Sequence, residues 1–160
     1  MGVKIFDSYT PARDQTHAMF CLAERDLEPS EVTRMLGIEP DRAGRRGDWE
    51  RINSFSDPVY FFRGLWVVYS TPFCASEHPN DHLEVIVDRL YPALDGIKDL
   101  VLRGIESGIW VVHCRRPGDS DYSLRTEALR KVVDLVSFLS IITRNVSDAG
   151  EPDAILLRQS

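Results

Sequence analysis

The sequence predicts an α+β domain: a single four-stranded, mainly antiparallel sheet with three helices, in a two-layer ferredoxin-like arrangement. Three observations predict it. Apolar runs and amphipathic stretches alternate in the order strand, helix, strand, helix, strand, helix, strand. The chain has 160 residues, 43% of them apolar, which suits one domain with a real core. The stretches MFCLAERDLEPSEVTRMLGI and WVVHCRRPGDSDYSLRTEALRKVVDLVSFLSI both read strand, polar loop, capped helix and return, so two pseudo-repeated β-α-β halves are expected to build the sheet. Residues 1–160 are expected to form one domain, with an arm over 1–15, a body over 16–146 and a tail over 147–160.

The first strand lies in the continuous apolar run 18–23, as in a strand covered on both faces. EPSEVTRMLGIEP is a short helix. Pro29 starts it, Glu28 and Glu31 sit at the positive end of its dipole, and Val32, Met35 and Leu36 form one face. Gly37 supplies a left-handed cap, and Pro40 blocks continuation. A loop is expected from Asp41 to about Pro58, then a second strand over 65–71. Asp81 and Glu84 resemble a capping box for a central helix carrying Leu83, Ile86, Val87, Leu90 and Leu94. Pro92 is expected to kink or split that helix, and Asp95-Gly96 to end it, with a further helical turn or two after it. GIWVVHC is the third strand. Ser123 is expected to cap a last helix with Leu129, Val132, Val133 and Val136 on one face, and LSIITRNV is the fourth strand. The tail is polar apart from the apolar quartet Ala154, Ile155, Leu156 and Leu157, expected to fold over the sheet edge or dock on a second copy.

In order, F-x-L at Phe20 and Leu22, DLEPSEVTRMLGIEP, GLWVVYST and YSLRTEALRKVVDLVSFLSI resemble the bacterial family known as domain of unknown function 4279. The resemblance spans residues 20–142 and departs at the end of the last helix, where Ser137-Phe138 stands in place of a Leu-Gly pair. It implies a compact α+β domain. It implies no established activity, catalytic residue or cofactor, so it transfers no site.

The formal charge of −6 disfavours phosphate backbones and anionic lipid as partners. No apolar run reaches the ~20 residues needed to span a bilayer, and the first residues lack the apolar stretch of a signal peptide. The expected location is cytoplasmic, with Cys21, Cys74 and Cys114 as reduced thiols. No membrane or nucleic-acid partner and no cofactor is expected.

DRAGRRGDWER, residues 41–51, contains both G-R-R-G and R-G-D. A nucleic-acid clamp needs G-x-x-G directly after an apolar helix; here Pro40 intervenes, and Asp48 follows the second glycine. The expectation is a solvated loop anchored by Trp49. Cys74, His78 and His82 are zinc-type donors spaced by four, but Pro79 interrupts a regular helix through them, and no metal site is expected. His113 and Cys114 are strand neighbours pointing to opposite faces, so they form no thiol–imidazole pair. No phosphate loop, dinucleotide fingerprint or nucleophile elbow occurs.

Two functions are expected from these features. The first is a non-catalytic bacterial protein-interaction domain, for example one neutralising a toxin, using the acidic central helix or self-association. The stretch 73–106 carries seven acids against three bases. The alternative is a small anionic-ligand-binding protein or enzyme with its site between loops 41–58 and 115–122. The residues expected to bind a ligand or partner are Arg42, Arg45, Arg46, Trp49, Trp66, Arg115 and Arg116.

Overall fold

The computed structural model describes residues 11–12, 14–51, 57–120 and 122–146. Residues 1–10 and 13 of the expected arm over 1–15, and the expected tail over 147–160 with its apolar quartet 154–157, lie outside them. The elements are β1 (His17–Glu24), α1 (Pro29–Leu36), β2 (Arg42–Gly44), β3 (Trp49–Glu50), β4 (Val59–Tyr60), β5 (Gly64–Tyr69), α2 (Pro79–Leu90), a 3-10 turn (Tyr91–Ala93), α3 (Leu94–Leu102), β6 (Glu106–Arg115), α4 (Thr126–Leu135) and β7 (Phe138–Asn145).

Among the described residues there are seven strands: a five-stranded sheet in the order β2-β5-β1-β6-β7 and a two-stranded ribbon, β3-β4. The expected single four-stranded, ferredoxin-like sheet is thereby corrected. The sheet is mixed, because β1 pairs antiparallel with β5 and β6 while β6 pairs parallel with β7. The pseudo-repeat fails for the same reason. In the second half, α4 carries the chain back so that β7 runs alongside β6, as a helical crossover does. In the first, α1 leads from β1 to β2, and β5 then inserts antiparallel between them. Three-residue β2 and the two-residue ribbon strands are too short to show a period of two, which is why 41–58 reads as loop in the sequence.

All three helical stretches form. Gly37 caps α1 at φ 64°, its N–H donating to Thr33 O. Pro92 divides the central stretch into α2 and α3. Gly96 does not end it. It lies within α3, where a Cβ would come 3.0 Å from Leu36 Cδ2, so this glycine lets α3 approach the end of α1. Pro79 opens α2 at its first position, where its missing N–H costs nothing; this replaces the expected capping box. Likewise α4 starts at Thr126 after Arg125 instead of from a Ser123 cap, and buries Ala128, Val132 and Leu135, while Val133 is 78% exposed. The apolar face is therefore rotated from the one the sequence suggests.

The helices cover one face of the sheet. Phe20, Trp66, Val68, Ile109 and Val111 meet Leu83, Ile86, Leu90 and Val132 in the main core. Phe20 and Trp66 pack edge to face at 6.3 Å. Each such buried side chain contributes about 1.5–3 kcal/mol of transfer free energy. The opposite face carries a smaller cluster of Cys21, Val67 and Tyr69 with Met19 and Trp110 packed against it. No helix among the described residues is long and apolar enough to cross a membrane.

Candidate functional site

The chain between α1 and β5 is built around one buried ion pair. Arg42 lies opposite Val67 in the β2–β5 ladder. Its Nε donates to both carboxylate oxygens of Glu50, at 2.8 and 2.9 Å, and Nη2 also donates to Glu50. Glu50 is fully buried. Residues 45–48 form a tight turn: Asp48 N donates to Arg45 O, and Arg45 N to Asp48 Oδ2. Gly47 N donates to Phe61 O. These backbone groups of the G-R-R-G stretch are thus spent within the protein, instead of facing a phosphate.

Side chains beyond the turn alternate. Phe61 is buried and makes a cation–π contact with Arg42, whereas Tyr60 and Phe62 point outward. Trp49 stands directly opposite Tyr60 in the ribbon. The rings of Trp49 and Tyr60 meet at 5.2 Å, and those of Tyr60 and Phe62 at 5.0 Å, both edge to face. Trp49 is 43% and Phe62 69% exposed. Trp49 is therefore not the expected anchor. Glu50 and Phe61 hold the ribbon, and Trp49 belongs to an outward aromatic row with Tyr60 and Phe62. Arg45, Arg46 and Arg63 border this region in ion pairs with Glu28 (2.8 Å), Asp26 (3.1 Å) and Glu106 (2.7 Å).

The other expected site residues lie elsewhere. Trp66 is fully buried in the main core, and its indole N–H donates to Thr33 Oγ1 at 3.0 Å. Arg115 closes β6 and donates to Asp119 O; Arg116 pairs with Glu77 at 3.3 Å. Arg45 and Arg46 neighbour residues just past the end of β1, whereas the amide next to Arg115, that of Cys114, bonds Thr16 just before its start. With β2 and β6 also separated by β5 and β1, the structure does not bring the two arginine groups together.

The acidic central helix is largely compensated. Asp81 and Glu84 lie near Arg125, Asp88 near Lys131, and Asp99 near Arg103. Pairs this exposed stabilise little, but they neutralise the field that the sequence suggested.

The buried titratable groups are structural. His82 Nε2 donates to Ser76 O at 2.6 Å, which leaves Nδ1 to accept from the Ser70 hydroxyl at 2.7 Å; Ser70 Oγ in turn accepts from Ala18 N. Neither His82 nor Ser70 is exposed, so this serine–imidazole pair has no route to a substrate. Both ring nitrogens of His82 being engaged, it is not available to join Cys74 and His78 on a metal. Among the described residues no group of three or more metal-ligating side chains assembles. Burial pushes the Cys21 thiol up to about 12 and raises Cys114 as well, which disfavours the thiolate that nucleophilic chemistry needs. His113 and Cys114 face opposite sides of the sheet, His113 lying against Tyr122 on the helical side.

Sequence reasoning missed Glu50, Tyr60 and Phe62. Their one local signal was the alternation in VYFFR, too short to read without knowing that Trp49 lies across from it.

A protein-family model described as Domain of unknown function (DUF4279) matches residues 14–144. No curated protein and no solved structure matches the chain.

Proposed function

The chain belongs to the domain of unknown function 4279 family, and from that premise we propose that it is a non-catalytic protein-interaction domain that docks through the β3–β4 ribbon. The observation that carries this reading is the contiguous row Trp49, Tyr60 and Phe62, exposed on a ribbon that the fully buried Glu50 carboxylate, held by Arg42, fixes from behind. Large aromatics beside arginines are the composition of interface hot spots, and a pre-fixed ribbon loses little conformational entropy on binding. The partner it suits is a different protein with an apolar groove rimmed by both charges, since the border alternates Arg45, Arg46 and Arg63 with Glu28, Asp26 and Glu106.

The test is a photo-crosslinking residue placed at Phe62 in cells of the native host, with a second at Leu102, which is 86% exposed but far from the ribbon in sequence, as the control. One dominant protein adduct specific to position 62, and lost on Trp49→Ala in a folded protein, supports the reading. The same adducts from both positions, or none, refute it. An adduct of the chain with itself redirects the surface to self-association.

A further inference from the structure

We propose that a second site, independent of the ribbon, binds a small carboxylate with an apolar body in the cleft at the carboxyl ends of β6 and β7. These strands run parallel, and the connection from β6 to α4 leaves a crevice of about 320 Å³ between their ends, lined by His113, Arg115, Tyr122, Leu124, Ile141 and Thr143. The space beyond the carboxyl ends of parallel strands is the general location of ligand crevices in sheets with helical crossovers. The volume lies at the lower end of small-molecule sites.

Two polar groups here make no hydrogen bond to any described residue. The Tyr122 hydroxyl oxygen is sealed from solvent and makes no hydrogen bond. His113 is 6% exposed and packs edge to face on Tyr122 at 4.7 Å, and its ring nitrogens take no hydrogen bond from any described residue. Buried hydroxyls are normally satisfied, so the orphan Tyr122 oxygen, on a cleft wall shared with the unbonded His113 ring, marks a place shaped for a ligand. The remaining lining defines its chemistry. The Tyr122 hydroxyl, the Thr143 hydroxyl and a ring N–H of His113 are donors, and Arg115 adds positive charge while holding Asp119 O. Two acids of the neighbouring loops are already engaged: Glu77 pairs with Arg116, and the Asp119 carboxylate accepts from Arg116 N. Donors and a cation at one end, with Leu124 and Ile141 at the other, fit an anionic oxygen head on a compact apolar body.

The experiment titrates the purified full chain with benzoate, and separately with benzamide and benzylamine, following the His113 ring and Tyr122 amide resonances by NMR. Saturable shifts with benzoate below about 10 mM, weaker with the neutral amide and absent with the amine, are expected. Tyr122→Phe keeps the ring and removes only the hydroxyl. It is expected to weaken benzoate roughly tenfold while leaving the thermal midpoint unchanged or higher. No saturable shift at the cleft, equal response to benzylamine, or unchanged affinity in Tyr122→Phe overturns the proposal. So does a lowered midpoint in that variant, because it would mean that the hydroxyl already serves the fold.

Discussion

Replacing Glu50 with alanine is expected to destabilise the protein by about 3–5 kcal/mol. Glu50 is fully buried, and both its oxygens accept from Arg42. Its removal strands a guanidinium whose side chain is only 21% exposed, over the Phe61 ring and without its counter-charge. An exposed pair would be worth about 0.2–1 kcal/mol; burial is what moves this one into the larger class. The protein has one way to limit the loss, which is to release the ribbon and keep the sheet. Release exposes Phe61, worth about 1.5–3 kcal/mol, and breaks the bonds between Gly47 and Phe61 and between Phe61 and Asp48, worth about 0.5–1.5 kcal/mol each. The two routes are comparable in size. Urea unfolding followed by circular dichroism measures the global loss, and hydrogen exchange at the Gly47 and Phe61 amides detects local release. Arg42→Met combined with Glu50→Leu is expected to recover most of the stability, since no charge remains uncompensated. A loss below about 1 kcal/mol in Glu50→Ala, with the ribbon amides still protected, refutes the reasoning.

Two further outcomes are expected. Burial lowers the pKa of His82, His17 and His113 below the ordinary 6.5, so the unfolded chain takes up these protons first. Their contribution to stability is complete above about pH 6.5 and is lost as pH falls below it toward the folded values. Thermal midpoints measured between pH 7.5 and 5 should therefore fall with pH, and a rise would contradict the assignment of His82 as a neutral imidazole. Gly64→Ala and Gly108→Ala should differ sharply. A Cβ at Gly64 meets the Leu27 backbone, its O at 2.5 Å, which has no free way to yield, and a loss of about 2–3 kcal/mol is expected. At Gly108 the obstacle is the Phe138 ring, which is 41% exposed and can swing aside, so about 1 kcal/mol or less is expected from the same denaturation assay; equal losses would sink the distinction.

The sequence by itself determined what depends on neighbours along the chain. The α1 cap at Gly37, the division at Pro92 and the four long strands follow from local sterics and from apolar periodicity, which act within a few residues. The family followed from the order of motifs over most of the chain. Tertiary structure decided what depends on pairing across distance. Whether Gly96 ends a helix or admits α1 was settled by a neighbour far away in sequence. The parallel docking of β7, the insertion of β5 beside β1 and the existence of β2 are choices of register that no window of residues contains. The same holds for the stretch DRAGRRGDWER. Its charges are evident in the sequence, but that half-buried Arg42 holds the buried Glu50 while Trp49 turns outward depends on which face of the sheet the ribbon meets. An arginine facing water and one facing a carboxylate in the interior have the same local sequence; only the folded surroundings set the dielectric and the partner that separate them.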